Sequence, residues 1–167
     1  MSTHLEKSKY NSRERGFTLI ETMVSLVILT IAIIPALSLS TSAVNIGYDI
    51  RDDLVAAGLA QEGIEVIRAI RDTNWFNNQP FDTGLTDGNY RVEWNSTSLL
   101  ALSSNPPLKL TDGLYTYSSG TSTKFTRTIV ITKINAGELK VVSQVSWPTR
   151  TNIAKTTQAE EHLFNWR

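Results

Sequence analysis

One segment constrains this chain more than any other. From Phe17 to Leu39 the residues are predominantly apolar, and Glu21 carries the only charge before Asp49. At 1.5 Å per residue, a helix of this length crosses a hydrocarbon core of about 30 Å. Ahead of the run lie Lys7, Lys9, Arg13 and Arg15, against Glu6 and Glu14, whereas the first charges beyond it (Asp49, Arg51, Asp52, Asp53) are mostly acidic. The positive-inside rule then predicts a cytoplasmic N-terminus and an exported C-terminal body. A secretory signal peptide shares the basic start, but its apolar core is shorter and ends at small residues, for which Pro35-Ala36-Leu37-Ser38-Leu39-Ser40 is the only candidate. A plain signal anchor leaves Glu21 unexplained, because an acidic side chain within lipid costs about 2.5–3.5 kcal/mol on insertion scales. A helix buried in a soluble core fits neither the length of the run nor its one-sided basic flank.

Composition narrows the function classes. The 167 residues include 16 basic and 16 acidic side chains and no Cys. A zero formal charge gives no electrostatic footprint for nucleic acid. Lack of Cys excludes a disulfide framework, a thiolate metal site and a cysteine nucleophile. With only His4 and His162, no histidine pair suits a metal, and neither a phosphate-binding Gly-Lys-Thr/Ser loop nor an HExxH motif is present. The chain therefore reads as a non-enzyme without cofactor or metal.

The junction Arg15-Gly16-Phe17-Thr18-Leu19-Ile20-Glu21 resembles the cleavage and methylation site of type IV prepilins and related pseudopilins. The resemblance implies cutting between Gly16 and Phe17 by a prepilin peptidase, which then N-methylates Phe17. It also gives Glu21 a partner. Cleavage creates an α-amine, cationic near neutral pH because its reference pKa is about 7.7–8, and the family implication is pairing of Glu21 with that amine on a neighbouring subunit. Such a pair is attractive in a low dielectric only with good geometry, so it can set axial register. The implied partners are the prepilin peptidase/methyltransferase, other pilin subunits, the membrane through a single pass, and a pilus assembly platform. The implied location is the inner membrane, followed by a surface or periplasmic filament.

Beyond Leu39 the helical pattern continues through Ala43, Ile46, Ile50, Leu54, Ala57, Ala60, Ile64 and Ile67 at spacings of three and four, with Asp53 and Gln61 interrupting the stripe. Arg68 and Arg71 are expected in the last turn, favourable against the helix dipole, with Thr73-Asn74 as the exit and Trp75-Phe76 folding back. Pro35 is expected to kink or break this helix, since it lacks an amide hydrogen, although membrane helices tolerate proline; in the family a proline in the N-terminal helix commonly marks a segment that melts on assembly, and Pro35 lies a little earlier than in many major pilins. Asn45-Ile46-Gly47 is a second weak point. The run from Leu59 to Asp72 looks like the corresponding helix of PilV-type minor pilins and the pseudopilin I class. Glu62 and Glu65 are candidates for paired carboxylates, but a solvated helix face is the plainer reading.

After Asn74 the period changes from 3.6 to 2. Asn89–Trp94 alternates, and Leu114–Tyr117 is a weaker strand. The clearest signal is a hairpin: Phe125, Ile129 and Ile131 on one face, with Thr126, Thr128 and Thr132 opposite, a turn at Asn135-Ala136-Gly137, then Leu139, Val141, Val145 and Trp147, ended by Pro148. An edge strand is expected within Thr149–Thr157, and Ala159–Trp166 as a short helix or cap pinned by Leu163, Phe164 and Trp166. Leu99–Thr123, rich in Ser, Asn, Pro, Gly and Thr, reads as a surface loop. Asp82–Asn89 reads as a turn rather than a calcium loop, and Asn95-Ser96-Thr97 fits a glycosylation acceptor. The predicted fold class is α+β, a long N-terminal helix on a small antiparallel sheet. Its organisation is a leader (1–16), a membrane span (17–39), an exported amphipathic helix (40–74) and a β-rich head (75–167). Three functions follow: a minor pilin of a type IV pilus, a pseudopilin of a type II secretion or DNA-uptake machine, or an uncleaved membrane-anchored binding module.

Overall fold

The computed structural model describes residues 16–166. One helix, α1, spans Leu19–Phe76. Eight strands follow: β1 (Gly88–Arg91), β2 (Leu100–Ala101), β3 (Lys109–Thr111), β4 (Leu114–Thr116), β5 (Thr121–Ser122), β6 (Thr126–Asn135), β7 (Glu138–Pro148) and β8 (Ala154–Phe164). They form a five-stranded antiparallel sheet in the order β2-β1-β6-β7-β8 and a three-stranded sheet in the order β4-β3-β5. The α+β expectation holds. The chain divides between Asn45 and Ile46 into two compact units.

The first unit contains the apolar part of α1. Every described side chain from Gly16 to Asn45 is exposed. The helix continues through Pro35 and Gly47, where the sequence predicts weak points. Proline removes one hydrogen bond, but the turns on either side retain theirs. Four hydroxyls of this stretch bond back to helix carbonyls: Thr22 to Leu19 at 2.7 Å, Thr30 to Val27 at 2.8 Å, and Thr41 and Ser42 both to Ser38 at 2.9 Å. Bonding of this kind satisfies a hydroxyl without recourse to water.

In the second unit, the C-terminal part of α1 packs through Leu59, Ala60, Ile64, Ile67 and Ile70 against the apolar face of the five-stranded sheet. The buried face differs from the predicted stripe. Ile46, Ile50 and Leu54 are 58%, 61% and 73% exposed, and burial begins at Ala56. The helix also runs past Asp72 to Phe76, so Arg68 and Arg71 are not in its last turn. Its end is a Schellman arrangement: the Gln79 amide donates to the Asn74 carbonyl at 2.8 Å and the Asn78 amide to that of Trp75 at 3.1 Å. Asn78 takes the left-handed conformation (φ 56°) this ending requires, one that Asn tolerates better than most residues.

The β6–β7 hairpin forms as predicted, with Ile129, Ile131, Leu139, Val141, Val145 and Trp147 buried. Asn135 closes the turn by accepting the Gly137 amide on Oδ1 at 2.8 Å. Two expectations fail. The C-terminal stretch is not a helix or cap: β8 pairs with β7 from Ala154 to Phe164. Thr157, Ala159, Glu161 and Leu163 alternate inward there, so the short-range helical propensity of Ala-Glu-Glu yields to eleven residues of ladder pairing. Of the three pinning residues, Leu163 is buried, whereas Phe164 and Trp166 are 51% and 70% exposed. Leu99–Thr123 is likewise not a plain loop, since it holds β2 to β5. Gly120 is required in this small sheet: its φ is +112°, and a Cβ would lie 2.2 Å from Thr111 Oγ1 and 2.4 Å from the Leu110 carbonyl oxygen.

Candidate functional site

At the predicted processing junction, Gly16, Phe17 and Thr18 precede the first turn of α1. Phe17 is 78% exposed, and nothing lies within 4 Å of where a Cβ on Gly16 would sit. Among the described residues the Gly16–Phe17 peptide thus lies ahead of the helix, with nothing packed against Gly16. Thr18 caps α1: its Oγ1 accepts the Glu21 amide at 3.3 Å, and its carbonyl accepts the Thr22 amide at 3.1 Å. Thr18-Leu19-Ile20-Glu21 therefore has capping-box spacing, with an acidic residue in the first turn where the helix dipole favours it. The Thr-x-x-Glu spacing of this cap is legible in the sequence. Among the described residues the Glu21 carboxylate makes no hydrogen bond or ion pair. The cationic leader residues Lys7, Lys9, Arg13 and Arg15 lie outside the described residues.

The other candidates are absorbed by structure. Glu62 and Glu65 are not a pair of like carboxylates acting together: Glu65 bridges Arg68, which also holds Glu161, and Glu62 accepts from Arg127. The Arg68 guanidinium is held above its ordinary pKa, chiefly by its hydrogen bond to Glu161. In the Asp82–Asn89 turn, Asp82 pairs with the Lys133 ammonium and Asp87 accepts the Lys133 backbone amide. Asn95 is exposed, beside Ser96, whose hydroxyl accepts the Glu93 amide at 2.7 Å. His162 lies between two carboxylates, 2.7 Å from Glu138 and 3.6 Å from Glu160. Lys140 lowers the Glu160 pKa through a hydrogen bond and its charge.

The residue that sequence reasoning missed is Arg127. It is fully buried, donating to the Leu59 carbonyl at 3.0 Å, to Glu62 at 2.9 Å and to the Val92 carbonyl at 2.7 Å. One guanidinium thereby ties α1 to the segment after β1. Its place between Phe125 and Ile129 on the apolar face of β6 was the available signal. Tyr117 completes the group by donating to the Arg127 carbonyl at 3.2 Å, and burial pushes its phenol above the ordinary value.

Among the described residues, α1 is the one helix long and apolar enough to cross a membrane, which fits a single-pass inner-membrane anchor. Compared with known families, residues 11–37 match the prokaryotic N-terminal methylation motif. Neither a curated protein nor a solved structure matches the chain. The match spans Gly16, Phe17 and Glu21, the positions on which the family resemblance rests; the chain carries the signature of type IV prepilins and pseudopilins.

Proposed function

We propose that the chain is a minor pilin, a structural subunit of a type IV pilus-like filament, cut after Gly16 and N-methylated on Phe17. The observation that carries this reading is the methylation motif over residues 11–37, which spans an exposed Gly16–Phe17 bond just ahead of an apolar helix. The leader would remain cytoplasmic and the head would be exported. Glu21 then pairs with the new α-amine of a neighbouring subunit, and the loss of a hydrogen bond at Pro35 makes that turn the first to loosen when helices pack in a filament. The same motif serves pseudopilins, and the reading extends to that role in a secretion or DNA-uptake machine.

Expression with and without a prepilin peptidase tests the proposal. Intact mass should show loss of residues 1–16 and gain of one methyl group, and the mature chain should appear in sheared fibres. A full-length chain confined to the membrane in the presence of the peptidase would favour an uncleaved anchored binding module instead. Glu21→Ala should be cleaved normally yet fail to enter filaments; normal incorporation would remove the assembly role.

A further inference from the structure

The connection between β1 and β2 carries a motif that the proposed function leaves unused. Of the Asn residues in the sequence, Asn95 alone has Ser or Thr two positions on, in Asn95-Ser96-Thr97. The residue between is not proline, as an N-glycosylation acceptor requires. The fold turns this tripeptide outward. Residues 93–96 form a tight turn held from both ends: the Ser96 amide donates to the Glu93 carbonyl at 3.1 Å, and the Glu93 amide donates to Ser96 Oγ at 2.7 Å. Asn95 occupies the third position of that turn and is exposed, as is Thr97. Among the described residues neither the Asn95 carboxamide nor the Thr97 hydroxyl makes a hydrogen bond, whereas the Ser96 hydroxyl is committed to the turn.

This arrangement selects a chemistry. A carboxamide nitrogen is a poor nucleophile, because its lone pair is delocalised into the carbonyl, so glycosyl transfer to it needs an enzyme that holds the flanking chain. The points to hold are accessible here. Thr97 offers a hydroxyl that both donates and accepts. Glu93, two residues before Asn95, offers a carboxylate whose Oε1 accepts the Tyr117 amide at 2.9 Å, while its Oε2 makes no hydrogen bond among the described residues. A carboxylate at that place can take a charge-assisted contact from an enzyme arginine. We propose that Asn95 is an N-glycosylation site whose donor is a glycosyl polyprenyl diphosphate. Asn95 Nδ2 bonds to the anomeric carbon, and the bond from that carbon to the diphosphate oxygen breaks. Polyprenyl diphosphate leaves with the electron pair, and one Nδ2 proton passes to a base of the transferase. The inference rests on the proposed export of the head, because the acceptor must reach the side of the membrane where such donors are presented.

The test isolates the chain from the cells that encode it and digests it with trypsin, which releases residues 92–109, bounded by Arg91 and Leu110, as one peptide. Electron-transfer fragmentation is expected to place a sugar-bearing mass, recognised by its oxonium ions, on Asn95. Asn95→Gln and Thr97→Val should each abolish that mass, and Thr97→Ser should retain it. Both side chains are exposed, so all three variants should melt as the parent does. A sugar mass that stays on the peptide in Asn95→Gln would show a hydroxyl-linked glycan and overturn the proposal. Proteinase K treatment of spheroplasts reads export separately. An unmodified Asn95 in a protease-accessible head overturns glycosylation alone; an unmodified Asn95 in a protected head overturns export and this site with it.

Discussion

Between Gly16 and Asn45 no described side chain is buried, although most are apolar; in the second unit, a guanidinium is fully buried while Ile50 and Leu54 lie open. Hydropathy alone therefore does not predict burial in the first unit and predicts it only in part in the second. In the first, the exposed apolar side chains fit an apolar surrounding such as a lipid bilayer, and the back-bonded hydroxyls of Thr22, Thr30, Thr41 and Ser42 fit it too. In the second, a charge is tolerated because carbonyls and a carboxylate meet it inside the fold.

The largest effect should come from removing that charge. Arg127→Ala strands Glu62 and two carbonyls, so the head should lose roughly 3 kcal/mol, measured by urea unfolding of the full-length chain followed by tryptophan fluorescence. Arg127→Lys should recover little, because one ammonium cannot reproduce the guanidinium fork. Unchanged stability in Arg127→Ala would erase the contrast between the units.

Close packing gives the next effect. A Cβ on Gly63 would lie 2.3 Å from Ser143 Oγ and 2.8 Å from Ile129 Cδ1. Gly63→Ala should therefore cost about 1–3 kcal/mol, with partial recovery in Gly63→Ala/Ser143→Ala. Ser143→Ala alone should not destabilise the head, since its buried hydroxyl has no partner.

A smaller effect concerns alkaline pH. Burial raises the Tyr117 pKa above 10.0, against the opposing pull of Arg127 and Arg91. The folded state thus holds this proton more tightly than the unfolded chain. Stability should be flat below the ordinary tyrosine value and fall as pH climbs above it, until the folded group also ionises. Tyr117→Phe should reduce the slope without abolishing it, because burial also raises Tyr115. Melting curves across the alkaline range decide this.

The smallest change is expected at the exposed stripe: Leu54→Ser should alter head stability by no more than about 0.5 kcal/mol. A larger loss in the same urea experiment would show that the predicted stripe is part of the folded core after all.

Several features were legible because they depend on neighbours in sequence. The apolar run, the junction at Gly16 and Phe17, and the β6–β7 hairpin all rest on local period or spacing. The capping spacing of Thr18 and Glu21 is equally local. By contrast, the Ala-Glu-Glu stretch favours helix locally, and β7 turns it into strand. The sequence by itself determined an apolar helix with a processing motif, followed by alternating strands. Only the tertiary structure decided which helix face is buried, that Arg127 lies inside, and that Trp75 meets Trp166. Those outcomes depend on contacts between residues far apart in the chain, as in Arg127 with Val92, 35 positions apart, and Trp75 with Trp166, 91 apart, and local periodicity carries no information about such pairings.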